Sequence, residues 1–211
     1  MQVLAGRRAL GVRLGLALGC AALLLALGGC APVLPERNKP GGSARWAQAL
    51  ATDAVVRWAQ DGLLCRVVGN GVGNEGWLPD RGGTWVLTYR SATRGKALEF
   101  SVDTNGTVTT AAVPDSVAAQ LQPLPTDWDD SPRAWAATSS HQKGVPLNTF
   151  EAVLGLDAEP ELHPGVVVWR IRFFLQGGGY ETHVVSAKST WLNARQADGA
   201  WAIQPGQSRP Q

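Results

Sequence analysis

Imidazoles form metal sites and act as general bases near neutral pH, so His141, His163 and His183 come first. They fall in three separate stretches. No His-x-x-x-His or Cys-x-x-Cys spacing sets two metal ligands side by side, so neither a metal nor another cofactor is expected. His183, between Thr182 and Val184 in a strand pattern, reads as a surface or internally satisfied histidine. No Gly-x-Ser-x-Gly elbow is present, which makes an uncharacterised hydrolase the weakest of the functional readings. Asp127, Asp129 and Asp130 could be paired carboxylates for acid/base work or part of a calcium loop. They stand immediately before a helix start, where they complement its positive end, and the later glycine and glutamate of a calcium loop are missing. Gly69 to Gly73 lacks the lysine and the following helix of a phosphate loop and reads as a turn. No catalytic residue is expected.

Nine tryptophans are the other chemical feature. Trp46, Trp58, Trp85, Trp135 and Trp169 fall on apolar faces of the expected elements and read as core. Trp77, Trp128, Trp191 and Trp201 fall in loops or at element ends. Of these, Trp77, Trp128 and Trp191 are the candidate contacts for a protein or peptide partner.

These residues must be positioned by a short list of elements. Ser43 can cap a helix over 44–60, where Trp46, Leu50, Ala54 and Trp58 recur every fourth residue with Ala47, Ala51 and Val55 beside them; Gly62 offers a left-handed stop. Residues 63–68 read as a strand. Residues 84–91 and 97–103 alternate apolar and polar, and Asn105-Gly106 supplies a tight hairpin to a short return strand over 107–112. A proline-containing linker over 120–127 leads to a second helix start, with a Ser131 cap and Pro132 at the first helical position. Three more strands follow over 150–156, 166–175 and 180–187, the last two joined by Gly177-Gly178-Gly179. The expectation is an α+β fold of two units, 44–122 and 123–211, each a helix followed by an antiparallel meander, side by side with a joined sheet or packed through the linker. The second unit includes the C-terminal tail.

The first 43 residues differ in kind. Arg7, Arg8 and Arg13 precede an apolar run over 14–27, shorter than the roughly 20 residues a permanent transmembrane helix needs, so residues 1–29 read as a cleaved signal peptide. Leu27-Gly28-Gly29-Cys30 resembles the lipobox of bacterial lipoproteins. The resemblance implies cleavage between Gly29 and Cys30, lipidation of the Cys30 thiol with fatty acyl groups such as palmitate, and a membrane-anchored mature chain. Residues 30–43, rich in proline and glycine, then serve as a lipidated tether. Ala31 after the cysteine implies, by the usual sorting rule, the periplasmic face of the outer membrane in an organism with two membranes. Cys20 would leave with the leader, and Cys65 remains as a lone thiol read as a small buried hydrophobe. Losing the three leader arginines takes Lys+Arg from 19 to 16 against 17 Asp+Glu; no basic stripe is visible, and no nucleic-acid partner is expected.

A second resemblance rests on Trp58-Ala59-Gln60-Asp61-Gly62, on Gly83-Thr84-Trp85-Val86-Leu87-Thr88-Tyr89, on Val102-Asp103-Thr104-Asn105-Gly106-Thr107-Val108 and on Trp128-Asp129-Asp130-Ser131-Pro132-Arg133-Ala134. The chain is similar over about residues 44–191 to PepSY-like envelope domains, in which a helix precedes a curled sheet and a strand ends in Asp-x-x-Gly-x-Val. The second unit lacks that ending. The resemblance implies a cystatin-like α+β shape, sometimes proposed to restrain peptidases, and brings no catalytic residues. The expected function is therefore a non-enzymatic envelope lipoprotein that binds a protein or peptide, through the open sheet face or the loop over 69–79; the alternative is a structural or accessory scaffold without a specific ligand.

Overall fold

Ser43 begins the first helix as its apolar pattern requires: its hydroxyl accepts the Trp46 backbone N–H at 3.2 Å. Helix α1 runs Ala44–Trp58. Its buried stripe is Ala44, Ala47, Ala51 and Val55, so small side chains bring it close to the sheet. Trp46, Ala54 and Trp58 pack alongside, and Leu50 is 40% exposed. The tryptophans thus flank the contact. Gly62 does not end the helix by a left-handed turn as expected. The chain leaves through extended Ala59 (φ −157°), and a Cβ at Gly62 would stand 3.0 Å from Val55 Cγ1, so glycine fits there without displacing that side chain.

The structure, a computed structural model, describes residues 42–156, 158, 164–196 and 201–202. Within them strands β1 (Leu63–Asn70), β2 (Thr84–Ser91), β3 (Lys96–Asp103) and β4 (Val108–Ala112) form an antiparallel meander. A single turn, α2 (Asp115–Ala118), and helix α3 (Ser131–Ser139) lead to β5 (Pro146–Gly155), β6 (Val168–Leu175), β7 (Tyr180–Ser186), β8 (Trp191–Gln196) and β9 (Trp201–Ala202). β1 pairs antiparallel with β5, Val68 opposite Val153, which settles the arrangement of the sheet as joined. The order is β4-β3-β2-β1-β5-β6-β7-β8-β9. The chain is an α+β protein whose residues Lys39–Gln211 make one compact unit. The sequence reading did not anticipate α2, β8 or β9.

Both main helices pack on one face of this sheet. Between them sit Trp85, Trp128, Trp135 and Trp169, in edge-on contacts with ring centroids 5.9–6.5 Å apart. Three of the four polar edges have named acceptors: Trp85 Nε1 donates to Gly42 O at 3.0 Å, Trp135 Nε1 to Thr149 Oγ1 at 2.9 Å and Trp169 Nε1 to Asp129 O at 3.3 Å. One core therefore draws on both halves of the described chain.

The helices also meet at their N-termini. The N-cap of α3 is Asp130, not Ser131: Asp130 Oδ1 accepts Ser131 N–H at 2.7 Å. The Ser131 hydroxyl is free to bridge instead, accepting Ala44 N–H at 3.0 Å and donating to Gly76 O at 2.7 Å.

Candidate interaction face

Directly paired residues of an antiparallel sheet point to the same side. With Trp85, Leu87, Phe100, Leu154 and Ile171 facing the helices, the pairing sends Arg66, Val68, Val86, Glu99, Glu151, Arg170 and Arg172 to the opposite face. Two segments partly cover that face. Residues 113–121 close over Cys65 and Ala97 through Val113, Ala118 and Leu121, and Arg90 Nη1 donates to Leu121 O at 3.1 Å. Ala158 closes over Val153, Val168 and Val184, and Arg170 Nη1 donates to its carbonyl at 2.8 Å. Between and beyond them, Arg66, Val68, Val86, Glu99 and Arg172 stay half-exposed.

The charges here are unevenly matched. Glu151 Oε2 receives Arg172 Nη1 at 2.9 Å and stands 3.5 Å from Arg170 Nη2. One carboxylate therefore serves two guanidinium groups, and Arg66 has no ion pair among the described residues. The Nε atoms of Arg66, Arg170 and Arg172 are shielded from solvent and lack an acceptor. A shielded donor without a partner carries a desolvation cost that an incoming carboxylate on the same guanidinium would offset in part.

Next to Arg172 the surface turns aromatic. A bulge between Thr149 and Glu151 in β5 sends Thr149 into the core and Phe150 to the outer face. There Phe150 stacks on Phe174 at 4.3 Å and meets Tyr180 edge-on at 6.2 Å. Phe174 is 44% exposed and Tyr180 36%. Cations beside accessible aromatic rings suit a partner that offers carboxylates and apolar groups together.

The residues singled out in the sequence are dispersed. Gly29 and Cys30 lie outside the described residues, as does His163. Trp77 is half-buried in the loop over 69–79, and that loop is a packed strap rather than a free one. Val72 and Leu78 are buried, Gly73 N–H donates to Trp77 O at 2.7 Å, and Asn74 Nδ2 donates to Pro146 O and Leu147 O. Trp128 is corrected outright as a surface contact. It is 3% exposed, packs edge-on against Trp169 at 6.0 Å and carries the Arg45 guanidinium 3.8 Å above its ring. A loop position does not imply exposure when the loop crosses the core. Trp191 opens β8 opposite Val185. Cys65 is buried, its thiol donates to Leu63 O at 3.3 Å, and desolvation pushes it above the ordinary thiol range.

Sequence reasoning missed one titratable cluster. His183 and Glu181, both fully buried, alternate onto the core side of β7, with His183 Nε2 3.4 Å from Glu181 Oε1. His183 meets Phe173 edge-on at 5.6 Å, and Glu181 accepts the Lys143 backbone N–H through both oxygens at 3.3 and 3.4 Å. Burial lowers the imidazole pKa, opposed by the Glu181 charge and hydrogen bond; His141 adds a further lowering. The Glu-x-His spacing in a strand was the available signal, since period two puts both on one face. The pair is sealed from solvent and shapes the core.

A shallow groove of about 500 Å³ lies at the C-terminal end of α1, lined by Arg57, Asp61, Thr93 and Arg94 among others. Its carboxylate is occupied internally. Asp61 accepts Ser91 Oγ–H at 2.7 Å, Thr93 N–H at 2.9 Å and Thr93 Oγ1–H at 2.9 Å. Among the described residues no group of three metal-ligating side chains converges, and no helix is long and apolar enough to cross a membrane.

No protein-family model matches the chain, and no curated protein does. A solved structure with some likeness to it is the Bacillus megaterium YpeB C-terminal domain, at 10% identity over 78% of this chain and 69% of that one. The TM-score is 0.26, too low for the likeness to bear on fold family or function.

Proposed function

We propose that the chain is a cell-envelope lipoprotein, anchored through acylated Cys30, whose folded part is a non-enzymatic module that binds a protein or peptide. The observation that carries the binding reading is the arginine and aromatic face: Arg66 without an ion pair among the described residues, Arg172 sharing Glu151 with Arg170, and Phe150, Phe174 and Tyr180 beside them. Interface anchors are enriched in arginine and aromatic residues, and an extended acidic segment with apolar side chains would satisfy both parts. The reading as non-enzymatic is supported by the sealing of the His183 and Glu181 pair in the core, out of reach of any substrate. The anchoring reading rests on Leu27-Gly28-Gly29-Cys30 and on the tether that follows. A tandem PepSY-like arrangement is supported by the order of elements, α1 before the meander β1 to β4 and α3 before the meander from β5 onward.

Two experiments test this reading. Replacing Cys30 with serine should move the protein from the membrane fraction to the soluble one; retention in the membrane overturns the lipid anchor. A photo-crosslinking residue placed at position 66 or 174 in the native envelope should give an adduct of defined mass, and the position-174 adduct should disappear on Arg172→Glu. The same probe at Val56, exposed on the helix side, should give none. Equal labelling from position 56, or no adduct from the sheet face, favours the accessory scaffold and overturns the binding module.

A further inference from the structure

Strand β4 ends the sheet on one side, and its outer backbone groups have no hydrogen-bond partner among the described residues. Sheet edges of this kind are normally blunted by charge, proline or a bulge, because their unpaired N–H and C=O groups template further strands. Here none of these devices operates along the strand. Residues 104–114 contain no charged side chain, in a chain that is 17% charged, and proline appears only at Pro114, after the strand has ended. Thr109, Thr110, Ala111 and Ala112 are exposed, and the pairing with β3 from Val102 and Val108 to Leu98 and Ala112 is regular.

We infer that β4 pairs antiparallel with β4 of a second copy of this chain, joining the two sheets across a two-fold axis at Thr110. Symmetry fixes the register. Opposite residues in an antiparallel pair share a face, so a two-fold pairing must be centred on a residue, and the register that overlaps the whole of Val108–Ala112 is centred on Thr110. Val108 then faces Ala112 of the copy and Thr109 faces Ala111. Every opposed pair is small or β-branched and uncharged. Leu50, 40% exposed on α1, lies over the β3–β4 turn with its Cδ1 3.1 Å from where a Gly106 Cβ would be. It forms an apolar shoulder above the edge, on the side where the copy brings Ala112. The residues before α1 are poorly suited to occupy the edge in its place, because Pro32, Pro35 and Pro40 interrupt any run of ladder donors.

The test uses the purified full chain in detergent. Light scattering should give a protein mass of two chains, and Thr110→Lys, which sets two ammonium groups directly opposite, should reduce it to one while the far-ultraviolet dichroism of the folded chain is kept. Under mild oxidation Thr110→Cys should cross-link, since the paired Cα atoms stand about 4.5–5.5 Å apart, within disulfide range. Val108→Cys should not, because its own symmetry mate is four residues away along the strand, about 13 Å. The double variant Val108→Cys with Ala112→Cys should cross-link twice. A monomeric wild-type chain, a Thr110→Lys variant of unchanged mass, or equal cross-linking at positions 108 and 110 overturns the inference.

Discussion

Asp130 caps two helices with one oxygen: its Oδ1 accepts the backbone N–H of Ser131 at 2.7 Å, beginning α3, and the backbone N–H of Arg45 at 2.9 Å in the first turn of α1. The four unpaired N–H groups at a helix start are a fixed cost of helix formation. Here two helices 85 residues apart in sequence meet at one carboxylate. The consequence is mechanical: α1 and α3 cannot shift independently without exposing a donor.

The first prediction follows from that junction. Losing one cap costs about 0.5–2 kcal/mol, so Asp130→Ala, which removes an acceptor from both helices, should cost about 2–3 kcal/mol. Urea denaturation measures it. Asp130→Asn keeps a carbonyl acceptor and should cost less than half as much. If alanine and asparagine are equally destabilising, charge rather than capping accounts for the effect.

The tryptophan core makes a second claim, about cooperativity. Trp85 comes from β2, while Trp135 and Trp169 come from α3 and β6, at centroid distances of 6.5 and 6.2 Å from it. Residues 44–122 and 123–211 should therefore unfold in a single transition, followed identically by tryptophan fluorescence and far-ultraviolet dichroism. Trp169→Ala, at a fully buried position, should lower stability by about 3–5 kcal/mol without splitting the transition. Two separated transitions in the wild type would show that the shared core does not couple the halves.

Period and capping made much of this fold readable beforehand. Trp85, Leu87 and Tyr89 alternate onto the core as expected, and Asp-Asp-Ser-Pro does mark the start of α3, though with Asp130 rather than Ser131 as cap. What escaped was non-local. The junction of β1 with β5 depends on two edges meeting, and Val68 carries no mark that its partner is Val153. β8 was hidden because Trp-Leu-Asn-Ala-Arg-Gln lacks regular alternation and takes its partners from β7. Trp128 was misplaced because its burial comes from Arg45 and Trp169, distant in sequence. The arginine face was invisible for the same reason: Arg66 and Arg172 sit on strands brought to one side only by the β1–β5–β6 pairing.

His183 supplies a third prediction, on acid sensitivity. Its pKa is depressed below the ordinary value of 6.5, chiefly by burial, so below 6.5 the unfolded chain takes up a proton that the folded one refuses. Stability should thus be fully present above pH 6.5 and fall as the pH drops through the folded pKa. His183→Gln should flatten that slope in stability measured between pH 7 and pH 5. An unchanged slope would place the acid sensitivity on another group.

Asp61 should act in a separate window. Hydrogen bonds from Thr93 N–H and the Ser91 hydroxyl hold its pKa at about 2, against an ordinary 3.8. Between those values the unfolded chain binds the proton first, so the stabilisation is complete above pH 3.8 and is lost as pH falls towards 2. The group is half-buried, and its contribution reads out as a slope confined to that interval. Asp61→Asn should reduce the slope below pH 3.8, where Asp103 and Asp127, also held below the ordinary carboxylate value, supply the rest, and should leave the His183 slope below pH 6.5 intact; His183→Gln should flatten that slope and spare the lower one. The effects of the two variants should add, because the clamp on the β2–β3 turn and the buried pair on β7 share no hydrogen-bond partner. If either variant alone erased both slopes, acid unfolding would run through a single coupled network, and the separation of these two sites would be wrong.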